Sequence, residues 1–144
     1  MHEAKPLVCS VTYLRVRNPL VIPAFVLQSF RVARAARRTP GYVTHHLLGL
    51  PPFPFFFTYS VWESPEAMNA FVATSEHRTA MAAMARWGRL GKFARFSSEK
   101  RRVGWRRALA HLRNPDGVWT PTGAHRRAED VPEQANPPGD VTAA

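Results

Sequence analysis

The stretch that most constrains this chain is residues 55–87, FFFTYSVWESPEAMNAFVATSEHRTAMAAMARW, where the apolar period changes once. Phe55–Trp62 is aromatic and β-branched, the composition of a strand. Ser64, Pro65 and Glu66 then form a helix start: a capping hydroxyl, a proline suited to the first turn, and a carboxylate that complements the helix dipole. Met68, Phe71 and Val72 share one helical face. Thr74-Ser75-Glu76 is a second cap, so the spacing predicts a broken helix that resumes through His77, Ala80, Met81, Met84 and Trp87.

Around this unit the chain reads as β-α-β-β-α-β, the split βαβ order. Leu7–Val16 alternates as a strand, and residues 23–38 have helical spacing with Arg31, Arg34, Arg37 and Arg38 toward the C-terminal end. Pro40-Gly41 stops that helix. Residues 42–48 form a second strand and residues 49–54 a rigid loop. Gly88 and Gly91 bracket a turn before a fourth strand at 92–98, and a short helix follows at 103–112. The expected fold is therefore α+β, a ferredoxin-like domain with an antiparallel sheet over residues 1–113. Residues 114–144, rich in Pro, Ala and Gly, read as a disordered tail.

With 144 residues, 45% of them hydrophobic, one domain is expected. Cys9 is the single cysteine, which excludes an internal disulfide and a cysteine zinc cluster. No basic-then-apolar run opens the sequence and no apolar run is long enough to span a bilayer, so a reduced cytoplasmic protein is the default. Glycine-rich phosphate loops, nucleophile elbows and paired zinc ligands are lacking, which argues against a built-in nucleotide or flavin.

Residues 59–81, with their strand, terminal Trp62, Glu63-Ser64, helix, small-residue break and His77, resemble the antibiotic-biosynthesis-monooxygenase superfamily. Within it they look most similar to spheroidene monooxygenase-like proteins. The resemblance, over residues 7–98, implies that two ferredoxin-like subunits pair their sheets into a dimeric α+β barrel. It implies oxygenation of a hydrophobic aromatic or polyene small molecule in a pocket between sheet and helices. Cyclisation or isomerisation of a polyketide-like intermediate is the alternative. Either no cofactor is required, or haem is bound through His77. By position the resemblance makes His77 a base or axial ligand and Trp62 a positioning donor.

Strand alternation supplies the remaining candidates. Tyr59 shares a face with Phe55, Phe57 and Val61, whereas Trp62 joins Phe56, Thr58 and Ser60 on a hydroxyl-bearing face. Phe55, Phe57 and Phe71 are expected in the core. Strict alternation also groups His46 with Tyr42, Thr44 and Leu48, and His45 with Val43 and Leu47. One of the two histidines faces solvent and the other packs. Tyr59 is a candidate catalytic residue; Tyr13, Arg15, His46, Arg78 and Trp87 are substrate-binding candidates.

The net charge of +10 leaves other partners to weigh. Basic runs at residues 31–38 and 100–113 suit nucleic acid phosphates, yet a solvated basic surface is the simpler explanation. Leu20, Val21, Ile22, Phe25 and Leu27 before the arginines resemble an interfacial membrane anchor, and serve equally as a helix core.

Overall fold

Strand β1 (Leu7–Val16) is paired on both edges, and the rest of the domain is stacked around it. The structure, a computed structural model, describes residues 5–121 and 123–126. A 3-10 turn (Pro19–Val21), capped by the Asn18 side chain, leads from β1 into helix α1 (Ile22–Arg38). Strands β2 (Tyr42–Gly49) and β3 (Phe55–Trp62) follow, then helices α2 (Pro65–Val72) and α3 (Ser75–Trp87) and strand β4 (Gly88–Ser98). Helix α4 (Trp105–His111) and strands β5 (Gly117–Thr120) and β6 (Gly123–Arg126) complete the described chain. All strands pair antiparallel, in the order β2-β3-β1-β4-β5-β6. The expected ferredoxin-like α+β architecture is present.

The break in the central helix is made by hydrogen bonds. Ser64 Oγ accepts from the Ala67 N–H at 3.1 Å and starts α2. Thr74 Oγ1 accepts from the His77 N–H at 3.3 Å while donating to the Phe71 carbonyl at 2.7 Å. One hydroxyl thus closes α2 and opens α3.

Period-two alternation divides the core between the two sheet faces. On the helix side, Val16, Ile22, Phe25, Phe56 and Met84 pack at one end, with the Phe25 and Phe56 rings stacked at 4.3 Å. Ala35, Ala36, Trp62, Met68 and Phe71 pack at the other end, with Trp62 on Phe71 at 5.0 Å. On the opposite side, Cys9, Val11, Tyr59, Val61 and Ala94 lie beneath α4, which contributes Ala108 and Trp105.

Four expectations need correction. Gly88 and Gly91 lie within β4, where Val16 and Leu14 pair with them, so the fourth strand starts earlier than expected. The fold also continues beyond residue 113. β5 pairs with β4 through Gly91↔Trp119, Lys92↔Val118 and Phe93↔Gly117, and Asp116 accepts from the Arg95 N–H at 2.6 Å. An otherwise open edge of β4 is thereby covered. The rest of the expected tail, residues 127–144, lies outside the described residues. Phe55 is exposed and Phe57 half-buried, because α4 covers only the far half of their face; Phe71 alone of those three phenylalanines is buried. Finally, β2 departs from strict alternation at Tyr42–Thr44, with consequences for the site.

Gly41 joins α1 to β2 with φ +88°, and its carbonyl accepts from the Glu63 N–H at 2.8 Å. A Cβ there would stand 2.5 Å from the Ala67 Cβ. Gly41→Ala is therefore strained in backbone and in packing, and should cost about 1–3 kcal/mol. A urea unfolding curve with a lowered midpoint and an unchanged slope is the expected result.

Candidate functional site

Between the two apolar clusters on the helix side, the floor of the sheet is polar. In register, His45 of β2 lies opposite Ser60 of β3, Ser60 opposite Ser10 of β1, and Ser10 opposite Arg95 of β4. One transverse row thus carries an imidazole, two hydroxyls and a guanidinium, spanning roughly 14 Å at the usual strand spacing. Thr58 and Thr12 pair with each other in the adjoining row, on the same face. His45, Ser60, Ser10, Thr58 and Thr12 are half-buried, and Arg95 is exposed. The hydroxyls of Ser10, Thr12 and Thr58 make no hydrogen bond among the described residues, and none is a buried orphan. They therefore reach solvent.

The walls are aromatic. Trp62, fully buried, donates its indole N–H to Ser60 Oγ at 2.9 Å. It also meets the edge of Tyr42 at 5.8 Å. Trp62 is thereby a rigid wall whose only donor is already engaged. At the other end, the Phe25–Phe56 stack closes the row of threonines.

The β-bulge at Tyr42–Thr44 decides which histidine joins this face. Tyr42 pairs with Trp62, yet Thr44 pairs with Val61, so one residue is inserted and the alternation shifts phase. Tyr42 and His45 consequently share the helix side, and Tyr42 Oη lies 2.6 Å from His45 Nδ1. His46 turns to the opposite face, stacked near Tyr59 at 4.6 Å and against Trp105 at 6.5 Å. Strict alternation, which grouped His46 with Tyr42, is corrected here. His45 was not among the site candidates, and only the pairing register reveals it. Burial, with help from Arg37 and His46, holds its pKa below the usual imidazole value, so the ring is neutral near pH 7.

The remaining candidates fall in three places. His77 stands at the start of α3, its ring edge-on to Phe71 at 5.0 Å and one ring removed from Trp62. Burial lowers its pKa, partly opposed by the Val72 carbonyl. Arg78 is exposed on α3, and Trp87 ends that helix, where its carbonyl accepts from the Arg17 N–H at 2.8 Å. Tyr59, His46, Tyr13 and Arg15 all occupy the opposite side of the sheet. Tyr13 packs on Phe57 at 5.1 Å, and burial raises its phenol pKa, partly opposed by Arg15. The eight candidates thus do not form one site: Trp62 borders the polar row, His77 approaches it through Phe71, and the other six lie elsewhere.

Haem fits these residues poorly. His77 packs against Phe71, which is itself stacked on Trp62, so a ligand plane at His77 requires that stack to open. A shallow cleft of about 300 Å³ beside α3 is lined by Ala35, Arg38, Thr39, Pro40, Ala70, Thr74 and Glu76, without His77. Among the described residues, no three His, Cys, Asp or Glu side chains are placed to hold a metal ion.

The fold is similar to several solved structures. SnoaB from Streptomyces nogalater, a cofactor-independent oxygenase, is 21% identical with a TM-score of 0.56, over 67% of this chain and 96% of that one. A Nitrosomonas europaea protein bearing the family name antibiotic biosynthesis monooxygenase is 17% identical with a TM-score of 0.60, over 69% and 96%. One from Caulobacter crescentus with the same family name is 16% identical with a TM-score of 0.60, over 67% and 93%. No curated protein matches the chain in sequence. Residues 8–83, more than half of the 144, match the profile of the antibiotic biosynthesis monooxygenases, and the chain belongs to that family.

Proposed function

We propose that this protein is a small-molecule monooxygenase that acts on a hydrophobic, hydroxylated aromatic substrate in the cleft between sheet and helices, without a cofactor. The observation that carries this reading is the transverse row His45–Ser60–Ser10–Arg95, set between two stacked aromatic walls. A neutral imidazole at one end and a cation at the other suit a substrate whose O–H must ionise. His45 takes the proton of a phenol or enol at Nε2, with Nδ1 held by Tyr42. Arg95 and the free hydroxyls stabilise the resulting oxyanion. The carbon conjugated to it then supplies electrons to dioxygen and forms a C–O bond, giving a hydroperoxide. Loss of water leaves a carbonyl, so a CH₂ group and O₂ become C=O and H₂O, and the substrate provides all the electrons. Trp62 serves as a wall that orients the ring. SnoaB is a cofactor-independent oxygenase on a similar scaffold, which supports the same class of chemistry here.

A second copy of the chain is part of this reading. Phe55 and Leu48 are exposed and Phe57 is half-buried on the part of the sheet face that α4 leaves open, beside the buried Tyr13. Pairing two such faces closes the α+β barrel and removes the exposed patch from water. Light scattering should give twice the chain mass, and Phe55→Asp should shift it toward the monomer.

Oxygen uptake with a panel of polycyclic phenols and their keto tautomers tests the activity. His45→Ala should lower kcat by about 10²-fold or more, the usual contribution of a positioned base. His77→Ala, if folded, should retain most of it. Equal loss in both variants, or uptake unaffected by either, would remove His45 from the mechanism.

The same two histidines set a pH dependence of stability. Their folded pKa values lie below the ordinary 6.5, so under acid conditions the unfolded chain binds more protons than the folded one. The stability present above that value is lost as pH falls through the folded values. The urea midpoint should decline between about pH 7 and 5, with a shallower decline in His45→Asn.

A further inference from the structure

One end of the molecule, away from the Tyr42–His45 pair, concentrates exposed apolar side chains from three separate segments. β1 ends there, β3 begins there, and the Val16 N–H bonds to the Pro54 carbonyl at 2.8 Å, so residues 17–20 and 50–54 lie at the same end of the sheet. Leu20 is 88% exposed, Leu50 69%, and Phe53 also stands out of the surface. From the same end, α1 presents an outward stripe of Pro23, Leu27, Phe30, Arg31, Arg34 and Arg38, all exposed. Its first half is apolar, with Phe30 67% exposed, and its second half is cationic. Ile22 and Phe25 point into the core, so the part of this segment that resembles an anchor is Leu20, Leu27 and Phe30.

Charge distribution indicates what covers this end. The Arg17 N–H bonds to the Trp87 carbonyl, which brings Arg17 beside the exposed Arg86 and Arg89. The described carboxylates lie elsewhere. Glu63, Glu66, Glu76 and Glu99 belong to the opposite end, and Asp116 sits beside the middle of β4. A hydrophobic tip bordered by arginines and lacking a described carboxylate matches the boundary between acyl chains and anionic headgroups.

We propose that this end docks the protein on an anionic lipid bilayer. Leu20, Leu27, Leu50 and Phe53 enter the headgroup boundary, while Arg17, Arg86 and Arg89 contact lipid phosphates. Such peripheral contact would let a hydrophobic substrate pass between the bilayer and the domain, although the docking itself does not depend on the proposed reaction. Charged stem and apolar tip act together, so neither suffices alone.

Co-sedimentation of the full chain with vesicles tests this. Vesicles of phosphatidylcholine with about one-third phosphatidylglycerol should bind the protein at least tenfold more tightly than phosphatidylcholine alone. Raised salt should weaken that binding. Leu50→Ser with Phe53→Ser should lower it about tenfold at unchanged Tm, and Arg17→Glu with Arg89→Glu should do the same. Absence of pelleting with anionic vesicles overturns the proposal. So does binding that the arginine changes abolish and the apolar changes leave intact, which marks adsorption by charge alone. A change in oligomeric mass in the Leu50→Ser, Phe53→Ser variant, with vesicle binding unaltered, assigns the tip to a second copy instead and overturns it equally.

Discussion

The structure depends on the double pairing of β1. It faces β3 without interruption from Val8↔Trp62 to Arg15↔Phe55, and β4 from Leu7↔Ser98 to Arg15↔Leu90. Because side chains alternate with period two, one register commits three strands at once to the same division of faces. Cys9 and Val11 are fully buried on one side and Val16 on the other. A shift by one residue would carry Val61 and Ala94 to the helix side and Trp62 to the other. The cost of that exchange in buried apolar surface is what holds the arrangement.

With the register set, apolar weight gathers at the two ends of the helix-side face rather than at its centre. The Phe25–Phe56 and Trp62–Phe71 stacks anchor α1, α2 and α3 over those ends. The centre is therefore free to carry hydroxyls, provided that they stay wet or are paired. Ser60 is paired with the Trp62 indole, and the unpaired hydroxyls reach solvent. Stability and the candidate site thus use different parts of one surface. On the opposite side α4 covers half the sheet, placing Trp105 on Tyr59 at 4.8 Å; Tyr13 is buried against Leu90, Val118 and Phe57, and Phe55 stays exposed. The polar row, the open part of the sheet face and the apolar tip all follow from where four short helices do and do not reach.

Much of this was legible in the chain itself. Residues 55–87 announce a strand, a capped helix and a second cap, and Ser64 and Thr74 perform those tasks through hydrogen bonds to residues three positions on. The separation of Tyr59 from Trp62 also followed from alternation. Such signals are local: each rests on groups within a turn or two of one another. Family resemblance added the ferredoxin-like architecture to what periodicity indicated, and alternation put Thr58, Ser60 and Trp62 on one face with Phe56.

What tertiary structure alone decided is non-local. The inserted residue at Tyr42–Thr44 has no signature in the heptapeptide YVTHHLL, since a bulge is defined against a partner strand. It exchanges His45 for His46 and so chooses the imidazole of the candidate site. Arg95 joins that row only because β4 pairs with β1 thirty or more residues away in each direction from its partners on β2 and β3. Val16 and Pro54 come together for the same reason. Composition and spacing determined which elements form and which residues can do chemistry. Register between distant strands, paid for by burial on both faces of β1, determined which of them meet.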